Sequence, residues 1–371
     1  MAEAGPFCSK NTTCGAEKVK INTLSRHIRS GALTLAAVCL LEFAACPLPA
    51  ESCAESADHD VKAFDLDAMA HPDLKAALSA MPQFDYSKPE EVRKIFVAVK
   101  EAPPQSERVA VCNKIISPGG IPDLRVRIYR PKNIKGECPA VLWFHGGGHI
   151  IGVPEQDEAF CLRMAEDIGC IVVSPDYRLA PENPYPADID DCFAALKWLA
   201  DKEANGLPVD TDRIAVAGAS SGGGLAIAAA LKARDEGGPK ICFMLPVYPM
   251  LDYRNSSISA RQITDTRVWC HSSNGIAWKM YLGGMQNVPA YASPAMADDV
   301  AGLPPANIVV GSLDPFRDED IGFAQRMLDA GVPVELRVIP GAFHIFDRLG
   351  TPLSEQAVNG HIAALKNALK K

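Results

Sequence analysis

The pentapeptide Gly218-Ala219-Ser220-Ser221-Gly222 constrains the fold of this chain more than any other stretch. It has the form G-x-S-x-G. An apolar run of strand length, Arg213 to Ala217, precedes it, and an Ala- and Leu-rich run suited to a helix, Gly223 to Leu231, follows. A strand turning sharply into a helix holds the central serine in a strained backbone conformation with its hydroxyl exposed. Gly218 and Gly222 carry no Cβ, so strand and helix can approach closely. Ser220 is the expected nucleophile. The competing reading, a Gly/Ser linker, is decided by whether the chain also carries the partners a nucleophile needs.

The rest of the chain supplies the setting for such a turn. Val109–Ile116 and Leu124–Tyr129 are strand-like and separated by Pro118-Gly119-Gly120, so they are expected to pair as a hairpin. Ala140–Phe144, Cys170–Val173, Cys242–Tyr248, Ala306–Gly311 and Val334–Ile339 are short apolar runs of the kind buried in parallel sheets. Helical stripes alternate with them, such as Ile189, Cys192, Phe193 and Leu196, or Val358, Ile362, Leu365 and Leu369. This alternation predicts an α/β fold with a mostly parallel central sheet and helices on both faces. Active sites in such sheets lie beyond the C-terminal ends of the strands.

Two segments break the alternation. Leu74, Leu78 and Met81 mark a short helix. Ser87-Lys88-Pro89-Glu90 then has the form of a capping box, opening a helix with Val92, Ile95, Phe96 and Val99 on one face. Later, Asp252 to Gly284 mixes polar residues with Trp269, Trp278 and Tyr281. A domain over 61–371 is therefore expected, with a helical cap built from about 61–100 and 252–284.

Charge and cysteine usage narrow the function. The 371 residues carry a net charge of -8 without a basic cluster, which argues against a nucleic-acid partner. Of 12 cysteines, Cys8, Cys14, Cys39, Cys46 and Cys53 fall in or near an N-terminal leader and the others are scattered. No C-x-x-C pair occurs. This is neither a disulfide framework nor a zinc site, and buried free thiols are expected. Residues 1–60 differ from the rest: Arg26 and Arg29 precede an apolar stretch from Gly31 to Cys46, followed by Pro47, Pro49 and Ala50. This has the layout of a secretory signal. A disordered leader or a wrongly assigned start codon is the alternative, so both a cytoplasmic and an exported location stay open. The apolar stretch is too short for a stable membrane span.

A serine hydroxyl needs a base within hydrogen-bond reach, and the base needs an orienting carboxylate. In this strand–turn–helix setting they follow in the order Ser, Asp or Glu, His. His344 stands after the strand ending at Ile339, in Pro340-Gly341-Ala342-Phe343-His344, and is the expected base. Asp314 follows the preceding strand and is the expected orienting acid. Its competitors Asp318, Glu319 and Asp320 are assigned to the start of the next helix, where carboxylates meet the positive end of the dipole. His145-Gly146-Gly147-Gly148 follows another strand and has the form of an oxyanion loop. Gly147, Gly148 and the amide of Ser221 are the expected oxyanion donors. His145 is read as a structural hydrogen-bonding residue, and His149 is left unassigned. Nothing in these motifs requires a metal or an organic cofactor.

Together these motifs resemble the hormone-sensitive-lipase-like branch of the α/β-hydrolases, the family of bacterial carboxylesterases. Besides the oxyanion loop and the elbow from Gly218 to Gly223, Asp176-Tyr177-Arg178-Leu179-Ala180-Pro181-Glu182 matches a family stretch, and Asp314 to Glu319 resembles its acid motif. The match runs in order over about residues 65–370. The resemblance implies an α/β-hydrolase domain and hydrolysis of short- to medium-chain acyl esters, with Tyr177 and Arg178 bracing the sheet and loops. Two departures stand out. Ala219 precedes the nucleophile where the family carries an acidic residue or Thr, and Phe316 replaces the usual Leu. Two other functions use the same scaffold: a small-molecule receptor, whose known examples replace the triad His that is present here as His344, and an amide hydrolase with the same residues. The expected partner is a small ester. A homodimer is one option for the assembly, on which the sequence is silent.

Overall fold

The computed structural model describes residues 61–99 and 106–370. The leader expected over 1–60 lies outside the described residues. β1 (Val109–Ile116) and β2 (Leu124–Pro131) form the expected hairpin, paired antiparallel from Val109↔Pro131 to Ile116↔Leu124. β3 (Cys138–Phe144), β4 (Ile171–Pro175), β5 (Val209–Ala219), β6 (Phe243–Val247), β7 (Ala306–Leu313) and β8 (Val334–Phe343) complete an 8-stranded sheet of order β1-β2-β4-β3-β5-β6-β7-β8. β2 pairs antiparallel with β4, and every neighbouring pair from β4 to β8 is parallel.

Side-chain alternation on the strands separates two core layers. In β3, Ala140, Leu142 and Phe144 face one layer, and Val141 and Trp143 face the other. α1 (Leu66–Met69), α2 (Pro72–Ala80) and α3 (Pro89–Val99) precede the sheet. α4 (Glu158–Ile168), α5 (Ala187–Ala200), α6 (Lys202–Asn205) and α7 (Ser221–Asp235) lie between β3 and β6. α8 (Ile258–Gln262), α9 (His271–Leu282), α10 (Arg317–Asp329) and α11 (Pro352–Ala368) follow. Apolar residues of α5, α7 and α10 fill the first layer, and those of α1, α2, α4 and α11 the second. Each large side chain buried this way contributes about 1.5–3 kcal/mol. Trp143 is buried whole because its indole N–H finds Asp157 Oδ2 at 2.7 Å.

A third apolar cluster sits apart from both layers. It joins Val92 of α3 and Trp278 and Tyr281 of α9 to Ile150, Ile151 and Phe316 at the C-terminal edge of the sheet. The segment expected to act as a cap thus divides: Leu66, Leu74 and Leu78 join the sheet's second layer, while α3 and α9 share the third cluster.

Local details differ from expectation. Ser87 does not cap α3; its hydroxyl and amide both turn to Asp85 Oδ1, at 2.5 and 3.0 Å. Asp85 accepts from both the amide and the hydroxyl of Ser87, so an Asx turn stands where the capping box was expected. Ile95, placed on the apolar face, is half exposed; the side chains of Phe96 and Val99 lie outside the described set. β8 runs four residues past Ile339. The register steps from Gly311↔Ile339 to Leu313↔Phe343, so a bulge absorbs Pro340-Gly341 and pairing resumes before His344.

Candidate active site

The elbow is built as the glycines require. Ser220 stands between β5 and α7 with φ 59° and ψ -123°. Its amide donates to Val247 O at 2.9 Å, and its carbonyl accepts from Met250 and Gly224 at 3.0 and 3.1 Å. A Cβ on Gly218 would lie 2.3 Å from Gly222 O, and one on Gly222 would lie 2.1 Å from Phe144 O. Only glycine fits where strand, helix and the oxyanion loop meet.

The three predicted chain segments converge. His344 Nε2 is 2.9 Å from Ser220 Oγ, and His344 Nδ1 is 2.8 Å from Asp314 Oδ2. The second carboxylate oxygen, Oδ1, accepts the Phe316 amide at 3.0 Å. A carboxylate can only accept, so the imidazole carries its hydrogen on Nδ1 and leaves Nε2 to accept from the serine hydroxyl. All three side chains are buried. Tyr248 and Phe316 pack edge-on against the His344 ring, at centroid distances of 4.7 and 5.1 Å. Phe316, one of the two departures from the family pattern, is therefore a wall of the imidazole's slot. Ala219, the other, is buried in the sheet's second layer.

The amides of Gly147, Gly148 and Ser221 make no hydrogen bond among the described residues. Ser221 is the first residue of α7, where amides lack intrahelical acceptors. Trp269 closes over Gly148: a Cβ there would lie 2.4 Å from the indole ring. His145 is fully buried, stacks on Tyr177 at 4.1 Å, and its carbonyl accepts from the Tyr177 hydroxyl at 2.6 Å. Burial pushes its pKa below the ordinary histidine value. Arg178 holds Asp191 through both carboxylate oxygens.

A cavity of about 340 Å³ opens onto Ser220, His344 and Gly146–Gly148. Trp269 lines it, as does Arg348, which pairs with Asp157. Phe84 and Tyr86 also line it, and Tyr86 packs edge-on against Trp269 at 4.9 Å. Trp269 shares the third cluster with Trp278 and Tyr281, which do not line the cavity. Tyr86, Phe84, Tyr248 and Arg348 escaped the sequence reading; no local spacing marks a lone aromatic or arginine in a loop. The acids after Asp314 do open α10, yet not as solvated helix-start charges. Glu319 is partly buried, and its Oε1 accepts the amides of Leu251 and Asp252 at 2.7 and 3.2 Å. Asp320 is buried with neither oxygen hydrogen-bonded. Burial pushes the pKa of both acids well above the ordinary carboxylate range. All seven cysteines among the described residues are free, and Cys138, Cys161, Cys170, Cys192 and Cys270 are buried.

A mostly parallel sheet presenting a serine elbow, an aspartate and a histidine from the ends of β5, β7 and β8, beside a glycine-rich loop, defines the α/β-hydrolase class. Residues 141–348 match the family model described as alpha/beta hydrolase fold. The chain is 34% identical to the carboxylesterase NlhH of Mycobacterium tuberculosis over 307 residues, 80% of this chain and 96% of that one. It is 38% identical to the esterase LipI of the same organism over 249 residues, 66% and 78% of the two chains. A solved structure, bacterial heroin esterase, superposes with a TM-score of 0.79 at 36% identity, covering 83% of this chain and 100% of that one. The chain belongs to the hormone-sensitive-lipase-like family of α/β hydrolases.

Proposed function

We propose that this protein, a carboxylic ester hydrolase, works through an acyl-enzyme on Ser220 and prefers short- to medium-chain acyl esters. Ser220 Oγ attacks the ester carbonyl while its proton passes to His344 Nε2. Asp314 holds the Nδ1 hydrogen and stabilises the imidazolium that forms. The amides of Gly147, Gly148 and Ser221 take the developing oxyanion. His344 then protonates the departing alkoxide, which leaves as alcohol. A water, deprotonated by the same imidazole, attacks the acyl carbonyl and releases the acid.

The observation that carries this reading is the unbroken chain of short contacts from Asp314 through His344 to Ser220. The acyl preference rests on the cavity, whose 340 Å³ stands near the low end of the roughly 300–1,000 Å³ of small-molecule sites. α3, α9 and the loop bearing Trp269 act as the cap.

The test is hydrolysis of p-nitrophenyl acetate, butyrate, octanoate and palmitate, beside a matched p-nitroanilide. The reading expects the highest kcat/KM from acetate to octanoate, little on the anilide, and loss of both turnover and fluorophosphonate labelling in Ser220→Ala. Equal turnover by Ser220→Ala removes the serine from the mechanism, and faster anilide cleavage makes the protein an amidase.

A further inference from the structure

His149 follows the oxyanion loop directly, yet it neither lines the cavity nor belongs to the triad. Its surroundings are unusually organised for a residue without a role. It is a non-glycine residue with φ 64°, the left-handed region. Gly147 and Gly148 before it also have positive φ, 135° and 60°. Three successive residues of this kind set the directions of the loop's amides, and the last of them carries a side chain.

That side chain is fixed by two contacts, a hydrogen bond and a ring stack. His149 Nδ1 is 2.7 Å from Asp188 Oδ2, with both groups buried. Asp188 Oδ1 accepts the Tyr281 hydroxyl at 3.1 Å and its own neighbour's amide, Ile189, at 2.7 Å. The Tyr281 ring stacks on the imidazole at 3.8 Å, 7° from parallel. The main chain is fixed too, because His149 O accepts the Ala180 amide at 2.9 Å. Asp188 belongs to the first turn of α5 and Tyr281 to the last turn of α9, so two helices grip one residue of the loop.

We propose that His149, gripped by Asp188 and Tyr281, is a positioning residue that holds the Gly147 and Gly148 amides in their oxyanion-binding direction. The inference rests on the oxyanion assignment above. The left-handed conformation at His149 is unfavourable by itself and persists only because surrounding contacts over-determine it. A charge-assisted bond from Nδ1–H to a buried carboxylate and a parallel ring stack supply those contacts. Without them the loop relaxes toward φ below zero at position 149, and the peptide between Gly148 and residue 149 turns. That peptide carries the Gly148 carbonyl and the residue-149 N–H, and its rotation is passed back through Gly148 to the preceding peptide, so the Gly147 and Gly148 amides lose their shared direction. Through Tyr281, α9 thereby contributes to catalysis without touching substrate.

Three substitutions separate this from a packing role. His149→Asn keeps a donor near the Nδ1 position and tolerates left-handed backbone. His149→Gly permits the backbone but deletes the bond to Asp188. His149→Ala deletes the bond and opposes the backbone. Each is assayed on p-nitrophenyl butyrate for kcat and KM, and against an alkyl trifluoromethyl ketone, which adds the serine hydroxyl to its carbonyl and places an oxyanion in the hole. The expected result is a kcat loss of roughly 10- to 10²-fold in the Ala and Gly variants, short of the 10²–10³ typical of deleting a donor outright. KM stays nearly constant, ketone inhibition weakens in step with kcat, and Asn recovers most of both. If the Ala variant does not fold, Tyr281→Phe, which removes one hydroxyl, is expected to show the same kcat-selective loss at smaller scale.

Wild-type kcat in folded His149→Gly, or a loss that appears only in thermal stability, overturns the proposal. So does an Asn variant no better than Gly. The underlying reading fails separately: turnover in Ser220→Ala removes the serine mechanism, whereas a dead Ser220→Ala beside a fully active His149→Gly removes only the role of His149.

Discussion

Gly222→Ala is the smallest change that tests how the elbow and the oxyanion loop depend on each other. Gly222 is the second residue of α7 and is absent from the positive-φ glycines, so alanine is conformationally acceptable there. Helix propensity alone favours alanine by about 1 kcal/mol. Space decides otherwise. The new Cβ would stand 2.1 Å from Phe144 O, 2.4 Å from His145 O and 2.6 Å from Phe144 C, all backbone atoms. To reach the 3.4 Å of ordinary contact, α7 and the end of β3 must part by more than an ångström. Overpacking of this kind costs about 1–3 kcal/mol, so it exceeds the propensity gain and the net change is destabilising. The same separation moves Ser220 and Ser221 away from His145–Gly148, and a misplacement near 1 Å costs on the order of 10²-fold in rate. The control is Gly169→Ala, the C-cap of α4 with φ 76° and nothing within 4 Å of its Cβ. It costs about 1–2 kcal/mol through its left-handed backbone and leaves the site alone. kcat/KM on p-nitrophenyl butyrate and urea unfolding of both variants give the comparison. A folded Gly222→Ala protein with wild-type kcat/KM would falsify the claim that elbow and oxyanion loop share one close contact.

Asp314→Asn should lower kcat by roughly 10⁴-fold in the same ester assay, because an amide no longer enforces the Nδ1–H tautomer of His344. Trp269→Ala should cost about 3–5 kcal/mol in urea unfolding, since the ring is buried, and should raise the octanoate-to-butyrate ratio of kcat/KM by opening the cavity over Gly148. Asp320→Asn should flatten the pH dependence of stability. Burial raises the folded pKa of Asp320 above 3.8, so the folded chain keeps a proton that the unfolded chain releases. The stability tied to that proton is complete below 3.8 and drains as pH rises toward the folded value. Melting curves from pH 4 to about 8 should show wild type losing ground to Asp320→Asn, and parallel curves would contradict this.

What the sequence revealed and what it hid follow a physical division. Ser220, Asp314 and His344 were legible because each stands just past a strand, where chain order and strand length fix position. The glycines of the elbow and the oxyanion loop were legible because no other residue fits such backbone. The parallel strands were legible as short continuous apolar runs, because Ala140–Phe144 is buried on both faces, but which side chain meets which layer was not written in the sequence. Long-range pairings were not. Nothing near Asp188 announces that its carboxylate meets His149, 39 residues earlier. Glu319 and Asp320 looked like helix-start charges because sequence shows the helix but not the elements packed over it. Ser87 differed for a local reason, since Asp85 draws its amide and hydroxyl into an Asx turn.

Strain is distributed along the same lines. The described non-glycine residues with positive φ are His149, Ser220, Tyr248, Asn255 and Ile345. Ser220, Tyr248 and Ile345 line the cavity, and His149 adjoins Gly148. Each is tied down by a main-chain bond to a neighbouring element or turn. Ser220 donates to Val247 O at 2.9 Å, Tyr248 donates to Val309 O at 2.6 Å, and Ile345 O accepts from Arg348 at 3.1 Å. Left-handed backbone at a non-glycine residue costs about 1–3 kcal/mol and survives only where the surroundings leave no alternative. The ends of β5, β6 and β8 provide that constraint, because their strands are locked by pairing on both sides or, for β8, by its long ladder with β7. The rigid sheet therefore holds Ser220, the Tyr248 wall and the residue after His344 in positions a free loop would abandon. Site geometry is consequently expected to fail before the fold does: in urea, ester turnover should be lost at lower concentration than helical circular dichroism. Coincident transitions would mean that the strained residues unfold only with the sheet itself.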